Sequence, residues 1–568
     1  MFDALTTEAH KSLEKAFGPV LEEVQWQYPR EAGRGDIATS AALSLAKKLG
    51  KQPREIAQVL AASLASVPDV ERTEVAGAGY VNVWLKPQAL LAALGASRKA
   101  QATKAKGHAK GKRPVIIDYS APNIAKPLGI HHILSTVIGQ SLANLYRSEG
   151  IPTVGINHLG DWGTQFGKLA VAMEKWGAGK TVASLGMDGL LALYVRFHEE
   201  AEKDPSLEQE ALASFRKLEE GDDAMRTFWN EVVQATMASV QRIYDRLHVS
   251  FDAVQGESFY EDKMAPVIAE GKEKNVFVPG EEGALIVAFP EEEQLPPYMV
   301  VKSDGATLYA TRDLATIRYR VDTWHPQAIL YVVDVAQQLH FRQLFATASR
   351  LGWDVPHLEH VVFGRMRFAD ASMSTRKGNI LKLEDVLDEA VRRAREVIAA
   401  HGETIQTDDE ASLAEMMGVG ALVYGILSQN RKMDIVFDWD KMLSFEGNSA
   451  PYLQYTHARA RSVLRKAAVK KTPFPKDVSA LQPSERLLLK DLLLFPAAVE
   501  EARNTHMPHK LANHLYQLCQ DFNAFYNIEP ILKAEGDTRA FRLALTAETA
   551  DVLRAGAELL TMRVPDRM

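Results

Sequence analysis

Asp118, Asn123, Lys126, His131 and His132 fall within fifteen residues of one another. A carboxylate, an amide, a lysine and two adjacent imidazoles bring charge, hydrogen-bond donors and a titratable pair to one ligand. Taken singly, Asn123 is a turn residue, Lys126 a solvated cation and the histidines the first turn of a helix. Their combination in one strand-loop-helix favours a functional reading. Val115, Ile116 and Ile117 form a β-branched run suited to a buried parallel strand, and Pro122 and Pro127 stop that strand from continuing. From His131 onward, Ile133, Val137, Ile138, Leu142 and Leu145 recur at helical spacing. The helix therefore starts at the strand's carboxyl end, where a doubly wound sheet binds its ligands. Its first turn is expected to offer unpaired N–H groups and a positive dipole end, a site for phosphate.

Two further constellations carry chemistry. Tyr309 and Asp313, four residues apart on a predicted helix, share one face, and a phenol beside a carboxylate suits a planar cation. On the residues alone, a surface aspartate and a half-buried tyrosine is the favoured explanation of the pair. Gln337 and His340 lie just beyond the apolar strand Ile329-Leu-Tyr-Val-Val. Ser372-Met-Ser-Thr-Arg-Lys-Gly-Asn is a polar loop whose Arg376 and Lys377 could close over a triphosphate and stabilise departing pyrophosphate.

The elements that must position these groups form a multidomain α/β chain. Residues 1–98 read as a small N-terminal α/β domain and 99–113 as a basic linker. Residues 114–172 hold the first half of a Rossmann-type parallel sheet, whose second strand ends in Gly160, Asp161, Gly163, Gln165 and Gly167. Residues 173–300 read as an insertion with a small hairpin over Phe277 to Phe289, and 301–383 as the second Rossmann half. Residues 384–470 form a helical junction and 471–568 a C-terminal all-α bundle, whose removal is expected to leave the rest folded.

The chain has 568 residues, 46% of them hydrophobic, enough for several cores. A formal net charge of −7 leaves RNA to local basic patches rather than to overall attraction. The one cysteine, Cys519, excludes an intramolecular disulfide framework and a cysteine-based zinc site, and fits a reducing cytoplasm. The first residues lack a signal-peptide pattern, and no apolar run approaches the length of a membrane span.

Ala121-Pro-Asn-Ile-Ala-Lys-Pro followed by a histidine pair resembles the first ATP-binding signature of class I aminoacyl-tRNA synthetases, in the form of the arginyl-tRNA synthetases. Gly160-Asp-Trp-Gly-Thr-Gln-Phe-Gly and Ser372-Met-Ser-Thr-Arg-Lys match further motifs of that family, and the likeness spans essentially the whole chain. His132 matches the second histidine of the family's His-x-Gly-His. Gly129 stands where the first would be, and His131 where the glycine would be. The resemblance implies ATP binding by Pro122, Lys126, Gly129, His131, His132, Met373 and Ser374. It implies catalytic roles for Lys126, His131, His132, Arg376 and Lys377, and an arginine pocket of Asp118, Asn123, Tyr309, Asp313 and Gln337. It further implies tRNA as partner, contacted at its elbow by the N-terminal domain and at its anticodon by the C-terminal bundle. Magnesium is expected with ATP, without a structural metal; a monomer and no membrane attachment are expected too. The expected reaction ligates arginine to its tRNA through arginyl adenylate. The rival readings are a non-catalytic tRNA-binding paralogue and another nucleotidyl transferase of the same fold.

Overall fold

The computed structural model describes residues 2–19, 24–29, 31–106, 111–354, 356–368, 381–402, 405, 407–469, 472–475 and 478–568. In the N-terminal part, strands β1 (Ile37–Thr39), β2 (Val70–Ala76) and β3 (Tyr80–Leu85) form an antiparallel sheet in the order β1-β3-β2. Gly77 and Gly79, both at positive φ, make the turn from β2 to β3. The helices Phe2–Phe17, Ala41–Leu49 and Pro53–Leu64 complete this unit around Leu5, Leu13, Leu45, Leu60, Val81 and Val83.

Residues 99–106, assigned above to a linker, instead continue the helix Pro87–Lys106. Ala100 and Ala102 are strong helix formers, and neither Gly nor Pro interrupts the run before Gly107. Lys104 from this helix pairs with Glu149 at 3.3 Å.

The central sheet begins with β4 (Val115–Asp118) and β5 (Thr153–Asn157), joined by the helix His132–Ser148. A four-helix stretch, Thr164–Trp176, Val182–Ala201, Ser206–Glu219 and Asp223–Leu247, follows, with its own core of Phe166, Leu190, Phe197, Leu218 and Val232. The chain then returns to the sheet at β6 (Ala253–Val254), which pairs with β5 through Ile156 and Asn157. Residues 173–300 are therefore not one uninterrupted insertion, because this two-residue edge strand belongs to the central sheet. It is too short to show any periodicity in sequence. The expected hairpin is present as β7 (Val278–Pro279) and β8 (Leu285–Val287), extended by β9 (Tyr298–Val301).

After the helix Tyr309–Trp324 come β10 (Ala328–Tyr331) and β11 (His357–His360). The five central strands are parallel, in the order β11-β10-β4-β5-β6. Since β5 lies on one side of β4 and β10 on the other, the connections diverge between β4 and β10, the switch point at whose carboxyl ends such sheets form their ligand crevice.

A second small parallel pair, β12 (Met366–Phe368) with β13 (Ile435–Phe437), leads to the helical half. That half contains the helices Leu383–Ala400, Glu410–Leu427, Ala450–Ala467, Pro483–Asn504, Pro508–Ile528 and Gly536–Leu559. Contrary to the expectation above, the helix Glu410–Leu427 is long and apolar enough to cross a membrane. It is 67% buried inside the protein, which accounts for its composition. Gly418 lets it approach the backbone of Ala390 and Val391.

The C-terminal bundle is not an independent unit. One continuous core runs from Leu5 through Leu142 and Leu422 to Leu553. Arg486 pairs with Asp36 of the N-terminal domain (2.6 Å), and Arg503 with Glu149, which follows the helix His132–Ser148 (2.5 Å). The expectation that residues 1–470 keep their fold alone is thus corrected: removing the bundle would expose this shared core.

Candidate active site

The loop after β4 is held in an uncommon backbone conformation. Ser120, Ala121 and Ala125 all have positive φ (75°, 48° and 63°), a region that alanine and serine avoid unless their surroundings enforce it. The enforcement is visible. The Ser120 N–H donates to Ser135 Oγ (2.9 Å), Ala121 N–H to Asn157 Oδ1 (3.2 Å) and Ala125 N–H to Thr236 Oγ1 (3.2 Å). Ser120 Oγ meets the Tyr244 hydroxyl at 2.7 Å, and the same hydroxyl accepts from Asn157 Nδ2 at 3.0 Å. Beneath the loop, Gly139 and Gly155 make room for Tyr119, whose atoms a Cβ would meet at 2.2 and 2.9 Å. Tyr244, Asn157, Thr236 and Tyr119 were not singled out from the sequence; Tyr119 begins the loop, and the other three come from distant segments and hold it without any motif of their own.

This framework places Asn123 beside the end of β5, where it bridges to Gly160. His131 caps the helix His132–Ser148, one residue later than expected, and the two imidazoles lie with ring centroids 4.0 Å apart. The expected free amides of the first turn are partly used: His132 N–H donates to Gly129 O (3.0 Å) and Ile133 N–H to Ile130 O (3.2 Å). The 129–132 turn closes on itself and leaves donation to the imidazoles. His132 Nδ1 stands 3.0 Å from Gly129 N and 3.1 Å from Gly129 O. Nδ1 either accepts from the Gly129 N–H, with the proton of the neutral ring on Nε2, or donates to the Gly129 carbonyl, with Nε2 as an acceptor. Burial pushes His132 down to about 4, with His131 acting in the same direction, and burial likewise lowers His131 against the pull of Asp334. Both rings are neutral at pH 7.

Lys126 is turned away, its Nζ 5.1 Å over the Tyr194 ring. Pro122 and Gly129 are buried. Met373, Ser374, Arg376 and Lys377 lie outside the described residues. The chain that follows them is tied to the first loop: Ile130 N–H donates to Leu381 O (2.9 Å), and Leu383 N–H to Leu128 O (2.8 Å).

On the other side of the crevice, Asp118 ends β4 beside Tyr331 of β10. It is not the free carboxylate expected from the sequence. Arg320, fully buried, meets it at 2.7 Å, leaving one oxygen for a ligand. Burial pulls Arg320 down, but Asp118 and the phenols Tyr260 and Tyr331 hold it charged. Arg320 lies seven residues beyond Asp313, a same-face spacing that could have revealed it. Asp313 is likewise engaged: His340 Nε2 lies 2.7 Å from its Oδ2, and His340 Nδ1 lies 3.1 Å from the Tyr298 hydroxyl. Tyr309 opens its helix and is 69% exposed, with the Arg312 guanidinium 6.0 Å from its ring. Arg312 is anchored by Glu257 (3.3 Å) and Glu261 (3.1 Å). Burial raises Glu257 to about 7 in spite of Arg312. Gln337 is exposed at the end of a 3₁₀ turn capped by Asp334. Asp161 serves the framework: its carboxylate accepts from Ser258 N–H (2.8 Å) and Ser258 Oγ (2.7 Å).

The site thus has neutral donors at one end and carboxylates, partly neutralised by arginines of this chain, at the other. Known proteins resemble this chain in its domains, its sequence and its fold. Residues 95–439 match the model for the class I tRNA synthetase (R) catalytic domain, 453–568 that for the DALR anticodon binding domain, and 3–85 that for the arginyl tRNA synthetase N-terminal domain. The arginine–tRNA ligase of Fusobacterium nucleatum subsp. nucleatum is 39% identical over 567 residues, covering 99% of each chain. That of Chloroflexus aggregans is 42% identical over 541 residues, covering 93% of each. Among solved structures, the Thermus thermophilus arginyl-tRNA synthetase superposes with a TM-score of 0.77 at 26% identity, covering 100% of both chains. The Plasmodium falciparum arginyl-tRNA synthetase, at 24% identity, shares the fold with a TM-score of 0.80 over 100% of this chain and 99% of that one. From the strained first-signature loop to the C-terminal helices, the chain belongs to the arginyl-tRNA synthetase family of class I.

Proposed function

We propose that the protein activates L-arginine with ATP and transfers the arginyl group to the terminal ribose of tRNA(Arg). The observation that carries this reading is the crevice between β4 and β10, with His131 and His132 at one end and Asp118 and Asp313 at the other. The arginine carboxylate attacks the α-phosphate of ATP in line. The bond from that phosphorus to the bridging oxygen breaks, and pyrophosphate leaves with the electron pair. The chain's work is positioning and charge stabilisation. His132 Nε2 donates to a phosphate oxygen, His131 supports it, and Lys126 swings from Tyr194 to the phosphates once they are bound. Arg376 and Lys377 complete the charge balance from the second signature loop. Asp313 forks onto the substrate guanidinium, Tyr309 packs against it, and Asn123 and Gln337 hold the amino-acid backbone. Magnesium travels with the ATP phosphates. Among the described residues no group of three or more potential ligands is gathered for a metal, and no step is routed through one.

The anticodon is proposed to occupy a cavity of about 1240 Å³ between the helices Ala450–Ala467 and Pro508–Ile528. Its wall carries Arg465, Lys466 and Lys533, and the Arg459 guanidinium lies 4.7 and 5.1 Å from the rings of Tyr455 and Tyr526. Cations interleaved with aromatic faces suit unstacked bases and their phosphates. The N-terminal domain is proposed to meet the tRNA elbow. The protein is proposed to work as a monomer in the cytoplasm, where its substrates are. Steady-state charging of tRNA(Arg) tests the reading: Arg459→Ala is expected to raise the KM for tRNA while leaving adenylate formation unchanged. An unchanged KM for tRNA would remove the groove from the proposal.

A further inference from the structure

His340 lies just beyond Gln337 and takes no part in the chemistry proposed above. It stands in the first turn of the helix Gln338–Arg350, and its ring joins two other elements. Nε2 lies 2.7 Å from Oδ2 of Asp313 on the helix Tyr309–Trp324, and Nδ1 lies 3.1 Å from the hydroxyl of Tyr298, which opens β9. An ionised carboxylate only accepts, so Nε2 carries a proton and donates to Asp313. In the neutral ring Nδ1 is then an acceptor, and Tyr298 donates to it. Burial, with the charge of Asp313, pushes the Tyr298 phenol up, so it stays a donor. The three elements are also tied to one another. Gln343, one turn along the helix from His340, donates through Nε2 to Pro296 O (2.9 Å) and Pro297 O (3.3 Å), just ahead of Tyr298. Thr311 Oγ1, on the helix of Asp313, donates to Val300 O of β9.

A carboxylate and a guanidinium pair best as two coplanar forks. An untethered aspartate turns its carboxylate about the last side-chain bond and loses that freedom on binding, a cost that a preset orientation removes. The bond from His340 takes one lone pair of Oδ2 and leaves Oδ1 and the second lone pair of Oδ2 to a ligand. The Asp313 side chain is 30% exposed, so a solute reaches it. We propose that His340 is a positioning residue for arginine recognition, holding the Asp313 carboxylate in one plane for the substrate guanidinium, with Tyr298 holding His340 in turn. An ammonium group presents no plane to match, so the arrangement favours arginine over lysine.

This inference rests on the arginine-activating reading above. The test is ATP–pyrophosphate exchange by the full-length protein with tRNA(Arg) present, varying arginine and ATP separately. Arginine-dependent exchange by the unaltered protein comes first, and its absence would refute the underlying reading rather than this one. His340→Ala is expected to raise the KM for arginine by about three- to tenfold, as for one side-chain rotation set free, with kcat and the KM for ATP within about twofold. His340→Gln can place an amide N–H near the Nε2 position and is expected to recover most of that loss. His340→Asn, one methylene shorter, does not reach Asp313 and is expected to behave like the alanine variant. In an Asp313→Ala background, His340→Ala is expected to change kcat/KM for arginine by less than about twofold, because no carboxylate is left to position. Should the alanine variant not fold, the comparison of Gln with Asn decides. An unchanged KM for arginine in a folded alanine variant, the same KM in the Gln and Asn variants, or losses that add in the Asp313→Ala background would overturn the assignment and leave His340 a packing residue.

Discussion

His132 is the side chain whose chemistry the surrounding structure constrains most. Gly129 holds its Nδ1 through either its N–H or its carbonyl, and burial keeps the ring neutral throughout the physiological range. His132→Ala is expected to slow single-turnover adenylate formation by roughly 10²–10³, with little change in ATP affinity. Because the folded ring titrates at about 4 and an unfolded one near 6.5, the unfolded chain takes up the proton first. Stability is therefore lost as pH falls from 6.5 to 4. The alanine variant lacks this term, and its melting temperature is expected to fall less steeply across that interval. For Asp313→Asn, the expected loss is about 2–4 kcal/mol of arginine binding, because a charge facing a permanent cation is removed. Separate Michaelis constants for arginine and ATP report it, and equal changes in both would contradict the pocket. At this scale the sequence was informative where a residue acts directly on a ligand. It was silent where one acts through another: nothing local marks Tyr244 as the partner of Ser120, since that contact spans 124 residues of chain.

At the scale of elements, the strained loop depends on what lies beneath it. Gly139 in the helix and Gly155 in β5 both open space for Tyr119, which in turn hydrogen-bonds Ser250 O at 2.7 Å. Gly139→Ala would drive a methyl group into that ring, so a loss of about 1–3 kcal/mol in stability is expected. Thermal unfolding measures it. The strand-helix-strand unit itself was legible, because β-branched runs, proline stops and helical periodicity agree over Val115 to Ile156. The two-residue strand β6 and the helical continuation through Lys106 were not. The strand is too short for any pattern, and the end of the helix reads as a linker when its charge is weighed above its alanine content.

For the whole molecule, the C-terminal helices rest on the far end of the helix that carries His132. His506 Nδ1 meets Glu359 of β11 at 3.0 Å and its Nε2 meets the Tyr146 hydroxyl at 2.7 Å, while Ser141 Oγ donates to Leu559 O at 3.0 Å. Burial pushes the Glu359 carboxyl up, but the hydrogen bond and charge of His506 outweigh it and hold it at about 2. The folded value lies below the unfolded one, so this contribution is complete above about pH 4.5 and is lost as pH falls toward 2. Glu359→Gln is expected to lower the melting temperature at pH 7, with the difference from the unaltered protein shrinking below pH 4.5. The change from a parallel sheet to a helical C-terminal half was readable from the sequence, but the sharing of one core was not, because periodicity identifies a buried helix face without identifying what covers it.

The central claim is that one crevice joins a phosphate end to a guanidinium end, so that only arginine completes it. ATP–pyrophosphate exchange across a panel of amino acids, with and without tRNA(Arg), tests this most directly. Exchange is expected with arginine and not with lysine, citrulline or any other member of the panel. Exchange driven by a different amino acid, or none with arginine while tRNA is bound, would contradict it.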